Sequence, residues 1–154
     1  MTTVVVVARL AAPLIASLAL SAMLQGETVS AARDGRPVPT IVFHGTVDKT
    51  VNPRNGDRVV AQALAGAVGL QKRTEQGQAG DGHAFERTLY VAADGTVVLE
   101  HWAVQGAGHA WSGGSPAGSF TDPKGPDASH EMLRFFLANP RAAAAPPASS
   151  RRRR

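Results

Sequence analysis

The chain has 154 residues, enough for one domain, with 44% hydrophobic and 18% charged residues, a globular rather than disordered balance. Its formal charge of +4 equals the four terminal arginines, Arg151 to Arg154, so the body is about neutral and shows no basic, aromatic-interleaved patch of the kind that binds nucleic acid. The absence of cysteine excludes disulfides and thiolate metal sites.

Val4 to Leu20 is mostly apolar but is broken by Arg9 and Pro13. A membrane span wants about 20 uninterrupted apolar residues, so no membrane partner is expected. Residues 1–16 read as a signal-like start or as a stretch foreign to the domain that follows. Residues 17–25 suit a short helix ended by Gly26, and 27–38 read as a loop. Thr40-Ile41-Val42-Phe43 is a continuous apolar, β-branched run, which suits a strand buried on both faces, as in a parallel sheet.

Residues 45–56 read as a loop, followed by a helix over 58–68 with Asp57 as its cap and Val60, Leu64 and Val68 at helical spacing. The polar, Gly-rich stretch 71–84 reads as irregular. Phe85–Ala92 and Thr96–Val104 are strand-like runs around Ala93-Asp94-Gly95, a hairpin signal. Residues 105–126 form a long Gly- and Pro-rich loop, and loops this long are commonly functional. Asp127 caps a last helix over 128–138, which Asn139-Pro140 ends. Residues 139–154 read as a disordered Ala/Pro/Arg tail. A buried strand followed by a helix points to an open α/β sheet, but with one clear parallel strand and a hairpin the sheet reads as incomplete.

Two loops carry chemistry. Asp48 follows the buried strand, where ligands sit in open α/β sheets. His109 lies among Gly106, Gly108, Gly113 and Gly114, whose conformational freedom lets the backbone present an imidazole. A general base needs one ring nitrogen available and the other held by an acceptor, which a carboxylate supplies. Asp48 before His109 is the acid-then-histidine order of the α/β-hydrolase triad. Taken singly, Asp48 suits a turn and His109 a surface position. His44 precedes the acid loop as a packing residue or a substrate contact. Trp111 suits either a cleft wall or the core, and Trp102 the core. His44, Asp48 and His109 also allow a three-ligand metal reading, although their spacing matches no metal motif. His83, His101 and His130 read as structural or surface residues.

Pro39-Thr40-Ile41-Val42-Phe43-His44-Gly45-x-x-Asp48-x-x-Val51 resembles the acid segment of the polyhydroxybutyrate depolymerase family of esterases, with its feruloyl- and acetylxylan-type relatives. Glu100-His101-Trp102 with Gly106-Ala107-Gly108-His109-Ala110-Trp111-Ser112-Gly113-Gly114 is similar to the family's histidine segment, and Gly118 to Ser129 continues the likeness. The resemblance spans residues 17–138. It implies the C-terminal portion of an α/β-hydrolase sheet with flanking helices, Asp48 as triad acid, His109 as triad base, no cofactor, a small or polymeric ester as substrate, and an extracellular location.

The departure is the nucleophile. The family carries a Gly-x-Ser-x-Gly elbow upstream of the acid, and this sequence has no such pentapeptide. Gly113-Gly114-Ser115-Pro116-Ala117 lacks the closing glycine and follows the histidine. Three expectations follow: an esterase half that is inactive alone, a non-catalytic fragment or subunit completed by an upstream chain, and a hydrolase using Thr46 or Ser112.

Overall fold

A computed structural model describes Val5–Val7 and residues 37–140. A five-stranded sheet runs in the order β1-β2-β5-β4-β3, built from β1 (Val5–Val7), β2 (Thr40–Gly45), β3 (Gln71–Gln78), β4 (Ala84–Val91) and β5 (Val97–Val104). Helix α1 (Arg54–Leu64) follows β2, and α2 (Ala128–Ala138) closes the described chain after a short pair, β6 (Trp111–Ser112) and β7 (Thr121–Asp122).

β2 is buried at all six positions, as its apolar run predicts. It pairs in parallel with β5, Thr40 opposite Leu99 and Gly45 opposite Val104, and antiparallel with β1. Alternation then divides the core. Ile41 and Phe43 face α2 together with Trp102, Ala128 and Phe135, while Val42 and Leu99 face Val59 and Val60 of α1. Each buried Val, Leu, Ile or Phe among them contributes about 1.5–3 kcal/mol by leaving water, so the two helices are held to opposite faces by separate clusters.

The predicted hairpin is present. The Gly95 N–H donates to the Ala92 carbonyl at 2.9 Å, the Ala92 N–H to the Thr96 carbonyl at 2.8 Å, and Gly95 has φ +85°. This is a three-residue loop with glycine in the left-handed position, and the Thr96 N–H donates to the Asp94 carboxylate at 2.9 Å. Asp127 caps α2 as expected, accepting the His130 N–H at 3.0 Å. Asn139 ends that helix, donating from its side chain to the Phe135 carbonyl at 2.9 Å.

Two expectations are corrected. Residues 71–78 are not irregular but form the full-length strand β3, paired antiparallel with β4 from Gln71–Val91 to Gln78–Ala84. The helix expected at 58–68 lies at Arg54–Leu64, with Pro53 rather than Asp57 at its N-cap position and no side-chain cap. Its buried face is Gly56, Val59 and Val60, with Ala63 and Leu64 packed beside them, whereas Val68 is 91% exposed beyond its end. Of the start over 1–16 only Val5–Val7, strand β1, is described; the rest of it, the expected helix 17–25 and the tail from 141 onward lie outside the described residues.

Candidate functional site

β2 and β5 are adjacent and parallel, so their C-terminal ends lie side by side and the loops that follow emerge together. Hydrogen bonds join those loops. Thr46 N–H donates to the Val104 carbonyl at 3.0 Å, Val47 N–H to the Ala107 carbonyl at 3.1 Å, and Gly106 N–H to the Thr46 hydroxyl at 3.0 Å. Gly45 is needed at the crossing, because a Cβ there would collide with the Ala107 carbonyl and lie 2.6 Å from the Gly108 oxygen.

The joined loops bring Asp48 to His109. His109 Nδ1 lies 3.0 Å from Asp48 Oδ2, and the Asp48 side chain is fully buried while that of His109 is 15% exposed. The other Asp48 oxygen, Oδ1, accepts the N–H groups of Thr50 at 2.8 Å and Val51 at 2.9 Å. An ionised carboxylate only accepts, so Nδ1 carries the proton and Nε2 is left as the basic nitrogen. The backbone bonds fix the rotamer of the acid, and the acid fixes the tautomer and orientation of the imidazole. That is the arrangement a general base requires.

The remaining candidates separate from this pair. His44 is buried at 5% exposure, and its Nδ1 lies 3.5 Å from the position a Cβ on Gly56 would take, next to His101. Burial holds the His44 imidazole below its ordinary value of 6.5, with the Asp48 and Asp57 carboxylates and the Val51 backbone opposing the shift. His44 thus packs beside Gly56 of α1, and it also lines, with Gly45, Ala107 and Gly108, the small cavity next to the acid and histidine loops. Among the described residues, no three His, Asp or Glu side chains come together as a metal-ligand set, His44, Asp48 and His109 included.

Trp111 sits two residues beyond His109, half-buried against the α2-side core, with its indole N–H 3.2 Å from the Ser129 hydroxyl. Trp102 is core: it is 3% exposed, stacks on Phe43 at 5.1 Å and donates to Glu100 Oε2 at 3.0 Å. Both hydroxyls weighed as nucleophiles have structural partners. Ser112 Oγ donates to the Pro126 carbonyl at 2.7 Å, and Thr46 Oγ1 accepts from Gly106.

Two pairs escaped the sequence reading. His83, at the tip of the β3–β4 hairpin, contacts Asp122 with Nε2 to Oδ2 at 2.9 Å. Glu100, 1% exposed, forms an ion pair with Arg134 of α2 at 2.7 Å. Neither pair has a local spacing signature: their partners stand 39 and 34 residues apart. Among the described residues, no helix is long and apolar enough to cross a membrane. No protein-family model matches the chain, and no curated protein is significantly similar to it.

Proposed function

We propose that Asp48 and His109 are the acid and base of a serine-hydrolase triad, and that the chain is the acid–base portion of a carboxylic-ester hydrolase of the polyhydroxybutyrate depolymerase type. The observation that carries this reading is the buried Asp48 carboxylate 3.0 Å from His109 Nδ1 on paired strand-end loops. In the mechanism, His109 Nε2 takes the proton of a serine as it attacks the ester carbonyl, then returns it to the departing alcohol. Asp48 stabilises the imidazolium between those steps. No Gly-x-Ser-x-Gly elbow is present to supply the serine, so the nucleophile comes from an upstream half. The ester is small or polymeric, and by the same resemblance the location is extracellular.

The second reading is a subunit whose role is to be completed by such a half. It is favoured by the pairing of β2. β1 meets only Thr40 to Val42, and among the described residues no other strand pairs the second edge of Phe43 to Gly45.

Hydrolysis of p-nitrophenyl acetate and butyrate tests both readings, with the chain alone and mixed with the serine-bearing upstream half of an esterase of this type. The expected result is background turnover alone and turnover on mixing that His109→Ala and Asp48→Asn abolish. Turnover by the chain alone that His109→Ala removes overturns the missing-nucleophile reading. Complemented turnover indifferent to both substitutions overturns the triad assignment.

A further inference from the structure

The segment that carries His109 is held from below by a second histidine–aspartate pair. Asp122 is the point where three stretches of chain meet. Its carbonyl accepts the N–H of Gly113 at 2.8 Å and of Gly125 at 3.0 Å. Its Oδ1 accepts the Lys124 N–H at 3.1 Å, and its Oδ2 lies 2.9 Å from His83 Nε2. The His83 backbone N–H in turn donates to the Lys124 carbonyl at 2.7 Å. On the other side, the His83 ring faces the start of the histidine segment, Nδ1 standing 3.8 Å from where a Cβ on Gly106 would be.

The segments fit closely at Gly82 and Gly113. A Cβ on Gly82 would collide with the Lys124 carbonyl, and one on Gly113, at φ +79°, would lie 2.7 Å from the Asp127 Cα. Asp122 also borders, with Ala107, Gly108, Ala110 and Ser112, a cavity of only about 10 Å³, the size of one water molecule. Through the Gly113 bond, a shift of Asp122 is passed to the backbone that follows His109.

We propose that His83 and Asp122 are positioning residues: by clamping the β3–β4 hairpin tip to the loop after His109, they hold the imidazole in register with Asp48. This rests on the triad assignment above for its consequence, though not for the clamp itself. Because the Asp122 carboxylate only accepts, the clamp needs an N–H at the position of His83 Nε2. A glutamine at 83 can place an amide N–H there, whereas asparagine is one methylene too short and alanine has no donor.

The test uses the full chain, ¹⁵N-labelled, with His83→Gln, His83→Asn, His83→Ala and Asp48→Asn variants. Two signals are read: the low-field Nδ1–H resonance of His109, and amide exchange at Gly113 and Gly125. In His83→Ala and His83→Asn, the two amides are expected to exchange about tenfold faster, as for loss of one hydrogen bond to a charged group, and the His109 resonance to broaden or vanish. His83→Gln is expected to restore both. Unchanged exchange in His83→Asn overturns the clamp, as does a loss that His83→Gln fails to restore. If His83→Ala does not fold, the Gln and Asn pair still decides. A wild-type chain without an Nδ1–H resonance sensitive to Asp48→Asn counts against the dyad, and amide exchange still judges the clamp separately.

Discussion

The backbone of Gly45 passes so close beneath the carbonyl of Gly108 that a single added carbon would stand 2.6 Å from that oxygen. Gly45 ends β2 and Gly108 immediately precedes His109, so this approach sets how the acid loop and the histidine loop meet. Both neighbours are backbone atoms, which cannot swing aside as a flexible side chain would.

Gly45→Ala is therefore expected to part the two loops. The strain of overpacking a closely fitted site is about 1–3 kcal/mol. Urea denaturation should show a loss in that range, and the Asp48–His109 contact should lengthen in the folded variant. A variant as stable as the parent, with the contact intact, would show that the loops are joined by other means.

Asp48→Asn isolates the role of charge from that of shape. The asparagine oxygen can still accept the Thr50 and Val51 N–H groups that Oδ1 accepts. Its amide then presents N–H to His109 Nδ1, which must give up its proton to accept it, and the proton moves to Nε2. Nitrogen NMR should show this tautomer change with the fold preserved. In a complemented enzyme, kcat should fall by about 10⁴-fold, the penalty of the wrong tautomer in serine proteases. Retention of the Nδ1–H tautomer in Asp48→Asn would remove the carboxylate from the mechanism.

The parts legible in the sequence are those set by local chemistry. Ile41, Val42 and Phe43 announce a strand buried on both faces, Asp94-Gly95 a hairpin and Asp127 a helix cap, and all three are present. β3 was missed because Gln71–Gln78 has no apolar residue and is exposed nearly throughout; its strand character comes from pairing along β4, which periodicity cannot report. The shift of α1 has a similar cause. Gly56, small and buried beside the His44 and His101 rings, belongs to the packed face, while Val68 only imitates the helical spacing. At the site, Asp48 and His109 were legible through chain order and glycine context. His83 with Asp122, and Glu100 with Arg134, were not, because each is made by folding between segments with no shared motif.

The buried histidines predict how stability depends on pH. Burial lowers both His44 and His101 below 6.5, opposed at His44 by Asp48 and Asp57 and at His101 by Asp57 and Glu86, while Lys72 adds to the lowering at His101. The unfolded chain protonates these rings as pH falls through about 6.5, before the folded chain does. The unfolded state then binds more protons, so stability is full above that pH and declines below it, until the folded-state values are passed. Each ring that stays neutral contributes a slope of up to about 1.4 kcal/mol per pH unit. Urea denaturation at pH 8 and pH 5.5 should show the loss, and a His44→Leu, His101→Leu double variant should flatten it. An unchanged slope in the double variant would place the acid sensitivity elsewhere.

Glu100 is a buried charge held by two donors, and its partners decide what each substitution costs. Arg134 reaches both carboxylate oxygens, at 2.8 and 2.7 Å, and the Trp102 indole N–H donates to Oε2 at 3.0 Å. Arg134→Met leaves the carboxylate buried with the indole alone. Breaking a buried pair from one side costs about 3–5 kcal/mol, and the lower end applies because the Arg134 side chain is 39% exposed. Arg134 also pairs with the less buried Glu131 at 2.7 Å, a loss common to both variants. Removing both Glu100 and Arg134, as Glu100→Leu with Arg134→Met, should therefore cost less than Arg134→Met by itself, since the fully buried carboxylate is no longer stranded. The further residual loss is the unpaired Trp102 N–H, worth about 1–3 kcal/mol. Glu100→Gln should fall between these, because its amide oxygen can still accept from Trp102. A double-mutant cycle read by chemical denaturation checks the order. If the double variant is the least stable of the set, the pair is a net source of stability rather than a buried charge that needs its partner.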